Sequence, residues 1–275
     1  MQPVTVTRDG AVAIVRLTND ENRNSMTQVM REAVATVFAD LDADVDCRAV
    51  YLTGSGRSFC AGGDLPMLKN EIDPWSTHSR FNRTAQWLTT MIRLRKPLVV
   101  GVNGFAVGGG FGLALTGDVI LASESARFMA GFFRLGVLPD IGVMYNLPRL
   151  IGMARAKTFI FENATWTGRQ AVENGIAAAV FADEQLDIEG IKRAHQLADG
   201  PVEAIGLAKW LMGRTFESSL DDMMAFENLG QSLVFTSQSF QEGLSALSAR
   251  RAPDFKAASE KETFVKNARR RRSGQ

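Results

Sequence analysis

Residues 98–122 read LVVGVNGFAVGGGFGLALTGDVILA, and this stretch decides the fold class. Leu98–Val102 and Val119–Ala122 are short apolar runs rich in β-branched residues, as in buried strands. Between them, the glycine-rich segment 108–112 opens a short helix pattern. Strand, loop, helix and strand recur in this order along the chain, which predicts an α/β layered fold.

The segments before this stretch extend the pattern. Val4–Leu17 alternates apolar and polar residues about the turn Asp9-Gly10, which predicts a β-hairpin. Ser25 and Gln28 have the spacing of a capping box and predict a helix start. The apolar face of that helix is predicted to comprise Val29, Ala33, Val37 or Phe38, and Leu41. Two further predicted elements are a strand at Arg48–Thr53 and a helix over about Ser79–Leu94.

The chain changes character past Pro201, where the strand pattern fades and amphipathic helices are predicted. These helices are expected at 202–213, 219–235 and 237–250. The predicted organisation is a core at 1–200, a C-terminal helical region at 201–256 and a basic tail at 257–275. Four consecutive arginines, Arg269 to Arg272, indicate that the tail is disordered.

Composition excludes several classes of function. The 31 Lys and Arg residues balance 30 Asp and Glu residues, so nothing in the net charge of +1 favours nucleic acid or an anionic membrane. Two His and two Cys residues can form neither a metal cage nor a disulfide framework, so we expect no metal. The chain has no membrane-spanning apolar run and no signal-peptide pattern, so we expect a cytoplasmic protein.

Two glycine-rich segments are candidate binding sites. Arg57–Asp64, RSFCAGGD, follows a strand, and its small residues allow close backbone approach to a ligand; a turn capped by Asp64 is the alternative. Gly108–Gly110 would expose N–H groups at a helix start, which suits a phosphate or an oxyanion, unless these glycines serve helix packing. A dinucleotide site is disfavoured because Leu113 stands where the third glycine would fall. A P-loop is excluded because no Gly-Lys-Ser/Thr follows.

Asp140 is the candidate side chain for chemistry. It follows Pro139 and precedes an apolar helical pattern, so a helix N-cap is its simplest role. Its apolar neighbours Leu138 and Ile141 would also raise its pKa by desolvation, which suits a group that carries a proton near neutral pH.

Several of these motifs together resemble the enoyl-CoA hydratase/isomerase (crotonase) superfamily over residues 3–256. The matching motifs are Asn22–Met26 (NRNSM), Phe59–Leu65 (FCAGGDL), Asn103–Gly110 (NGFAVGGG), Asp118–Ala122 (DVILA), Leu135–Asp140 (LGVLPD), Leu147–Gly152 (LPRLIG), Ala171–Ile176 (AVENGI), Gln241–Leu247 (QEGLSAL) and Arg250–Phe255 (RRAPDF). The resemblance is specific because it rests on all of these motifs together and not on any single one.

The resemblance implies a spiral of repeated ββα units with two sheets, and C-terminal helices that build homotrimers and often hexamers. It implies an acyl-CoA thioester as substrate and no separate cofactor. The thioester oxygen would lie between the backbone N–H groups of Ala61 and Gly109. The residues matched to the substrate and CoA site are Arg23, Ser25, Cys60, Ala61, Gly62, Gly63, Asp64, Leu65, Gly108, Gly109, Phe132 and Pro139.

This sequence departs from the hydratases of the superfamily at two positions. Where they have glutamates, this chain has Gly112 and Phe132, so hydration is disfavoured because it needs an acid and a base. Asp140 matches the aspartate of dienoyl-CoA isomerases and of ring-enlarging isomerases of phenylacetate breakdown. The leading prediction is therefore an isomerase that uses Asp140 as its acid/base.

Three alternatives remain open at this point. Asp140 also matches the nucleophile of 4-chlorobenzoyl-CoA dehalogenases. The Pro-Asp-x-Gly at 139–142 and Gly112 recur in 3-hydroxyisobutyryl-CoA hydrolases, whose glutamate at the place of Phe132 is absent here. Loss of both glutamates would also fit a CoA-binding homologue without catalysis.

Overall fold

The computed structural model describes residues 2–64 and 73–273 and contains two β-sheets. A larger sheet has the strand order β1-β2-β3-β5-β7-β10, and a smaller one the order β4-β6-β8-β9. The strands are β1 Val4–Asp9, β2 Val12–Leu17, β3 Ala49–Gly54, β4 Ser58–Cys60, β5 Leu98–Val102, β6 Phe105–Val107, β7 Val119–Ser123, β8 Arg127–Met129, β9 Thr165–Thr167 and β10 Ala179–Phe181. Pairing is parallel except between β1 and β2 and between β8 and β9.

Helices cover the sheets and form most of the C-terminal third. The α-helices are α1 Gln28–Ala43, α2 Pro74–Ile92, α3 Gly109–Ala114, α4 Val143–Ile151, α5 Met153–Phe161, α6 Gly168–Glu173, α7 Leu186–Ala198, α8 Val202–Met212, α9 Leu220–Val234, α10 Gln238–Ser248, α11 Phe255–Ser259 and α12 Thr263–Ser273. Short 3₁₀ helices occupy Asp20–Asn22, Phe132–Arg134 and Asp183–Gln185.

A strand–strand–helix unit repeats through the core. In each repeat a strand of the larger sheet is followed by a strand of the smaller one: β3 by β4, β5 by β6, and β7 by β8. The first two pairs lead into α2 and α3, and β8 leads through a 3₁₀ helix into α4. This arrangement confirms the predicted α/β fold of ββα units, and the hairpin of β1 and β2 is also confirmed.

Helix α3 is tightly enclosed, and this position matters for the site. All six of its residues are buried. A Cβ on Gly110 would lie 2.0 Å from the carbonyl oxygen of Cys60 at the end of β4, a distance that only glycine permits. The glycine-rich helix is therefore packed directly against the smaller sheet.

The start of α1 differs from the prediction. The N-cap is Thr27, whose side chain accepts the Met30 N–H at 3.1 Å, so the predicted Ser25–Gln28 capping box is wrong. The buried face is Met30, Val34, Phe38 and Leu41. Two apolar stripes, offset by one residue, run along this helix. Packing buries the stripe that contains Met30, so Val29 is exposed.

Helix α2 begins five residues earlier than predicted, at Pro74, with Asp73 as its N-cap. The Asp73 carboxylate accepts the Ser76 N–H at 2.8 Å, and proline suits the first helical position. This first turn was not predicted because the composition of residues 74–78 is mostly polar; most of these residues are exposed.

The C-terminal helices α8, α9 and α10 lie where the sequence predicted them, within two residues at each end. The prediction of a disordered tail at 257–275 is corrected for most of its length, since α11 and α12 are helical through Ser273. The Arg269 side chain anchors α12 by a bond from its Nε to the Asp46 carboxylate at 2.9 Å. No helix in the described part of the chain is long and apolar enough to cross a membrane.

Candidate active site

The two glycine-rich segments leave neighbouring parallel strands at one edge of the smaller sheet, Ala61 after β4 and Gly108 after β6. Their backbones are nearly in contact. A Cβ on Gly62 would lie 2.5 Å from the carbonyl oxygen of Val107 and 3.4 Å from the nitrogen of Gly109. Gly62 also has a φ of +89°, so both space and backbone conformation exclude a side chain.

The N–H groups of these segments differ in their hydrogen bonding. The Ala61 N–H donates to the Arg23 carbonyl at 3.0 Å, which argues against Ala61 as an oxyanion donor. Over residues 2–64 and 73–273, the N–H groups of Gly63 and Gly109 donate no hydrogen bond. Gly109 is the first residue of α3, where N–H groups have no intrahelical acceptor. The N–H groups of Gly63 and Gly109 are therefore candidates, beside the Ala61 N–H that the family resemblance implies, to bind a developing negative charge.

The Asp140 carboxylate lies beside this pair. Its Oδ1 is 3.8 Å from the position that a Cβ on Gly109 would occupy. Asp140 does not cap α4: the N-cap is Gly142, without a side-chain cap, and only the Asp140 backbone carbonyl accepts the Val143 N–H, at 3.0 Å. The side chain is thus not used to start the helix.

Burial raises the pKa of Asp140 above its ordinary value. Its own backbone N–H and the positive charges of Arg80 and Arg31 oppose this effect. Because burial is the largest of these influences, the carboxyl group holds a proton at higher pH than an exposed aspartate does. Such a group suits both proton removal and proton return.

The loop at Asp140 is held in an unusual backbone conformation. Ile141 has a φ of +47°, in the left-handed region that β-branched residues avoid, and Gly142 follows with φ +72°. Ile141 is buried, and its Cγ1 would lie 3.2 Å from a Cβ on Gly109. Surrounding packing must therefore impose this conformation, and it fixes the approach of Asp140 to α3.

Both positions at which hydratases carry glutamate are filled by apolar groups. A Cβ on Gly112 would lie 2.5 Å from the Ile141 carbonyl oxygen and 2.8 Å from the Ile141 Cβ. The Phe132 side chain is buried, and its Cε1 would lie 3.8 Å from a Cβ on Gly108. Gly112 and Phe132 therefore supply no acidic side chain, and at Gly112 the Ile141 backbone also leaves no room for one.

The remaining predicted site residues lie around the same sheet edge. Ser25, Cys60, Gly62 and Pro139 are buried, Asp64 is half-buried, and Arg23 and Gly63 are exposed. Burial raises the pKa of the Cys60 thiol to about 12, so it is no nucleophile. Leu65 lies outside the described residues. No group of three His, Cys, Asp or Glu side chains suited to a metal occurs in the described ranges.

Sequence reasoning missed two residues of this site, Arg31 and Arg80, and the backbone conformation of a third. Ile141 was expected only as an apolar neighbour of Asp140, because nothing in an isoleucine indicates a left-handed backbone. Arg31 and Arg80 lie on separate helices, and only the packing of α1 on α2 brings both near Asp140. Arg31 and Arg80 precede Asp140 by 109 and 60 residues, so their positions in the sequence gave no information about this carboxylate.

Comparison with known proteins agrees with this geometry. The sequence profile of the enoyl-CoA hydratase/isomerase family matches residues 7–258. The chain is 33% identical to the 1,2-epoxyphenylacetyl-CoA isomerase of Escherichia coli over 249 residues, covering 89% of this chain and 94% of that protein. It is 31% identical to a protein of Mycobacterium bovis named as a probable enoyl-CoA hydratase, over 92% of this chain and 98% of that one.

Solved structures give the same result. An enoyl-CoA hydratase/isomerase from Cupriavidus metallidurans superposes with a TM-score of 0.88 at 29% identity, over 93% of this chain and 96% of that one. An enoyl-CoA hydratase from Bacillus anthracis superposes with a TM-score of 0.87 at 27% identity, over 92% and 98%. With the profile match and the shared fold, this chain belongs to the enoyl-CoA hydratase/isomerase (crotonase) family.

Proposed function

We propose that this protein is an acyl-CoA isomerase in which Asp140 moves a proton between two carbons of the acyl group. The observation that carries the proposal is the position of the Asp140 carboxylate, 3.8 Å from where a Cβ on Gly109 would lie. No second carboxylate occupies the positions of Gly112 and Phe132. One acid/base group beside an oxyanion pair suits a double-bond shift or a ring isomerisation.

The reaction needs two functions from the protein. The Asp140 carboxylate removes a proton from the acyl chain, and the electron pair of the broken C–H bond moves onto the thioester oxygen. The N–H groups of Gly63 and Gly109 stabilise that enolate oxygen, an interaction worth several kcal/mol in comparable sites. The enolate then collapses with a shifted double bond, and Asp140 returns the same proton at the other carbon, so neither water nor a cofactor is consumed.

Hydration fits the site less well. Adding water needs one group to activate the water and another to supply a proton to the acyl carbon. The Ile141 backbone fills the space above Gly112, and the Phe132 ring packs near Gly108, so neither position can hold such a group. An E. coli relative named as an isomerase agrees with this preference, although relatives named as hydratases match at similar identity.

The test is Asp140→Asn, which keeps the shape of the side chain and removes the base. We expect turnover of 3-enoyl-CoA or ring-type acyl-CoA substrates to fall by about two to four orders of magnitude. The matched control is Asp73→Asn, an exposed aspartate whose replacement by asparagine keeps the α2 N-cap, and its turnover should match wild type. Undiminished isomerisation by Asp140→Asn would refute the proposal.

Two further measurements separate the rival functions. Mass spectrometry of the intact protein after incubation with 4-chlorobenzoyl-CoA would reveal an aryl ester at Asp140 if that residue were a nucleophile. Acyl-CoA binding without turnover of any substrate in a broad panel would instead indicate a non-catalytic homologue. Either result contradicts an isomerase with Asp140 as acid/base.

A further inference from the structure

Asn24 is a fully buried polar residue in the loop that precedes α1. Its side-chain amide donates two hydrogen bonds, to the carbonyl of Ser55 at 3.0 Å and to the carbonyl of Ser58 at 2.8 Å. Its Oδ1 accepts the N–H of Asn19 at 2.7 Å. The Asn24 side chain therefore joins this loop to the connection between β3 and β4.

The backbone of the loop also depends on Asn24. Arg23 and Asn24 have φ angles of +51° and +55°, in the left-handed region that glycine adopts freely and that asparagine tolerates better than most other residues. The N–H of Asn24 donates to the Asn19 carbonyl at 2.8 Å, so its backbone and side chain stabilise the same conformation. The hydrogen bonds of Asn24 therefore offset the strain of two consecutive left-handed residues.

The same loop pairs with the first glycine-rich segment of the candidate active site. The Arg23 carbonyl accepts the Ala61 N–H at 3.0 Å, and the Met26 N–H donates to the Gly62 carbonyl at 2.7 Å. A parallel β-bridge joins Met26 to Gly63. These contacts lie on both sides of the buried asparagine in the chain, so its hydrogen bonds fix where the loop meets the segment.

The bond to the Gly62 carbonyl decides the direction of the next N–H group. In a trans peptide group, the C=O of one residue and the N–H of the next lie in one plane and point in opposite directions. Because the Gly62 carbonyl points at Met26, the Gly63 N–H points away from the loop. Over residues 2–64 and 73–273 this N–H donates no hydrogen bond, so it can donate to a thioester oxygen.

We propose that Asn24 is a positioning residue of the oxyanion site, which sets the direction of the Gly63 N–H through the contact of Met26 with Gly62. This inference rests on the proposed function, because it needs the thioester oxygen to accept that N–H. A hydrogen bond weakens steeply as its angle departs from linear, so a small rotation of this peptide group is enough to lose it. Replacing Asn24 should therefore reduce the polarisation of the thioester more than the affinity for CoA.

The test is the infrared spectrum of bound hexanoyl-CoA that carries ¹³C at its thioester carbonyl. This saturated chain has no double bond to shift, so the complex is observed without turnover. A hydrogen bond to the carbonyl oxygen lowers the C=O stretching frequency, so we expect a lower frequency in wild type than in Asn24→Gly. Glycine adopts the positive φ freely, so this substitution removes the side-chain hydrogen bonds without adding backbone strain.

Steady-state kinetics with a 3-enoyl-CoA should agree with the spectra. Asn24→Gly should lower kcat by about 10- to 100-fold and change KM less, since outright removal of an oxyanion donor costs roughly 100- to 1,000-fold in kcat. Asn24→Asp keeps the shape of the side chain but loses the amide donors, so it should change kcat and the C=O frequency in the same direction. The matched control is Asn22→Ala, an exposed asparagine two residues earlier, which should leave both values unchanged.

A purely structural role of Asn24 gives a different result. Urea denaturation would then show a lower free energy of unfolding for both Asn24 variants, while the C=O frequency and kcat of the folded protein stayed at their wild-type values. That combination would overturn the inference.

Hydrogen exchange of wild type provides a test that needs no variant. In the free protein, the amides of Ala61 and Met26 should exchange slowly and the amide of Gly63 rapidly, and hexanoyl-CoA should slow the exchange at Gly63. Slow exchange at Gly63 in the free protein would also overturn the inference. Failure of the proposed function is distinguishable, since a wild type that polarises the bound thioester in an Asn24-dependent way but isomerises no substrate contradicts only the isomerase proposal.

Discussion

At Asp140, burial and two arginines act on one carboxyl group in opposite directions. Burial favours the neutral acid and raises its pKa, while Arg80 and Arg31 favour the carboxylate. As a base, Asp140 must be ionised before it can remove a proton. Activity is therefore expected to fall as the pH drops through this raised pKa.

This balance predicts the effect of Arg80→Gln on the pH profile. Removal of a cation that lowers the Asp140 pKa raises that pKa further, so the acidic limb of kcat/KM should move to higher pH. The control is Arg83→Gln, which removes a charge from the same helix that is not among those acting on Asp140. Profiles measured with a neutral 3-enoyl-CoA should show the shift for Arg80→Gln alone. An unchanged limb would mean that Arg80 does not act on the ionisation that limits activity.

At the scale of elements, the site depends on how closely α3 packs against its neighbours. Gly110 abuts the end of β4, and Gly112 abuts the loop that carries Asp140 and Ile141. Side chains at these positions would push apart the elements that hold the oxyanion pair and the carboxylate. The glycines of α3 are therefore required for packing as well as for backbone exposure.

Gly112→Ala tests this packing. Its Cβ would meet the Ile141 carbonyl oxygen at 2.5 Å, so the backbone must shift and the free energy of unfolding should fall by about 1–3 kcal/mol. The control is Gly230→Ala in α9, where the nearest atom is Leu211 Cδ1 at 3.9 Å. That change should be neutral or stabilising by about 0.5–1 kcal/mol, since alanine favours a helix interior. Urea denaturation measures both, and equal stability of Gly112→Ala and wild type would contradict the packing argument.

At the scale of the whole molecule, the C-terminal helices carry apolar surface that the rest of the described chain leaves exposed. Helix α9 has no buried residue, although it carries several large apolar side chains. Leu229 and Leu233 are 67% and 64% exposed and lie one turn apart on the same face. We propose that this face is covered in a homo-oligomer, the trimer or hexamer expected from the family resemblance.

The double substitution Leu229→Asp with Leu233→Asp tests this assembly. Two carboxylates on the face should disfavour its burial and lower the mass found by sedimentation velocity toward that of the single 30.0 kDa chain. The control is Ile188→Asp, which places one charge at an exposed apolar position of α7. An oligomer that keeps its mass in the double variant would exclude this face from the interface.

Features set by residues close together in the sequence were predicted well, and features set by contacts between distant residues were not. The strand at Leu98–Val102 and the three C-terminal helices were predicted within two residues, because periodicity and flanking glycine or proline residues are local signals. The predicted buried face of α1 was wrong in part because two apolar stripes one residue apart compete along this helix. The Ala61 N–H, which the family resemblance assigns to the thioester oxygen, donates in this structure to the carbonyl of Arg23, 38 residues earlier in the chain, a contact that no local signal indicates.

The sequence by itself determined the α/β fold class, the two glycine-rich segments and the presence of a single candidate aspartate, which depend on residue identity and local pattern. The ββα repeat and the absence of glutamate at Gly112 and Phe132 were expectations from the family resemblance. Only the tertiary structure decided which amides remain available, that Ile141 fills the space above Gly112, and that Arg31 and Arg80 act on Asp140. The physical reason is that each of these contacts joins chain segments far apart in sequence, and packing alone sets their separation.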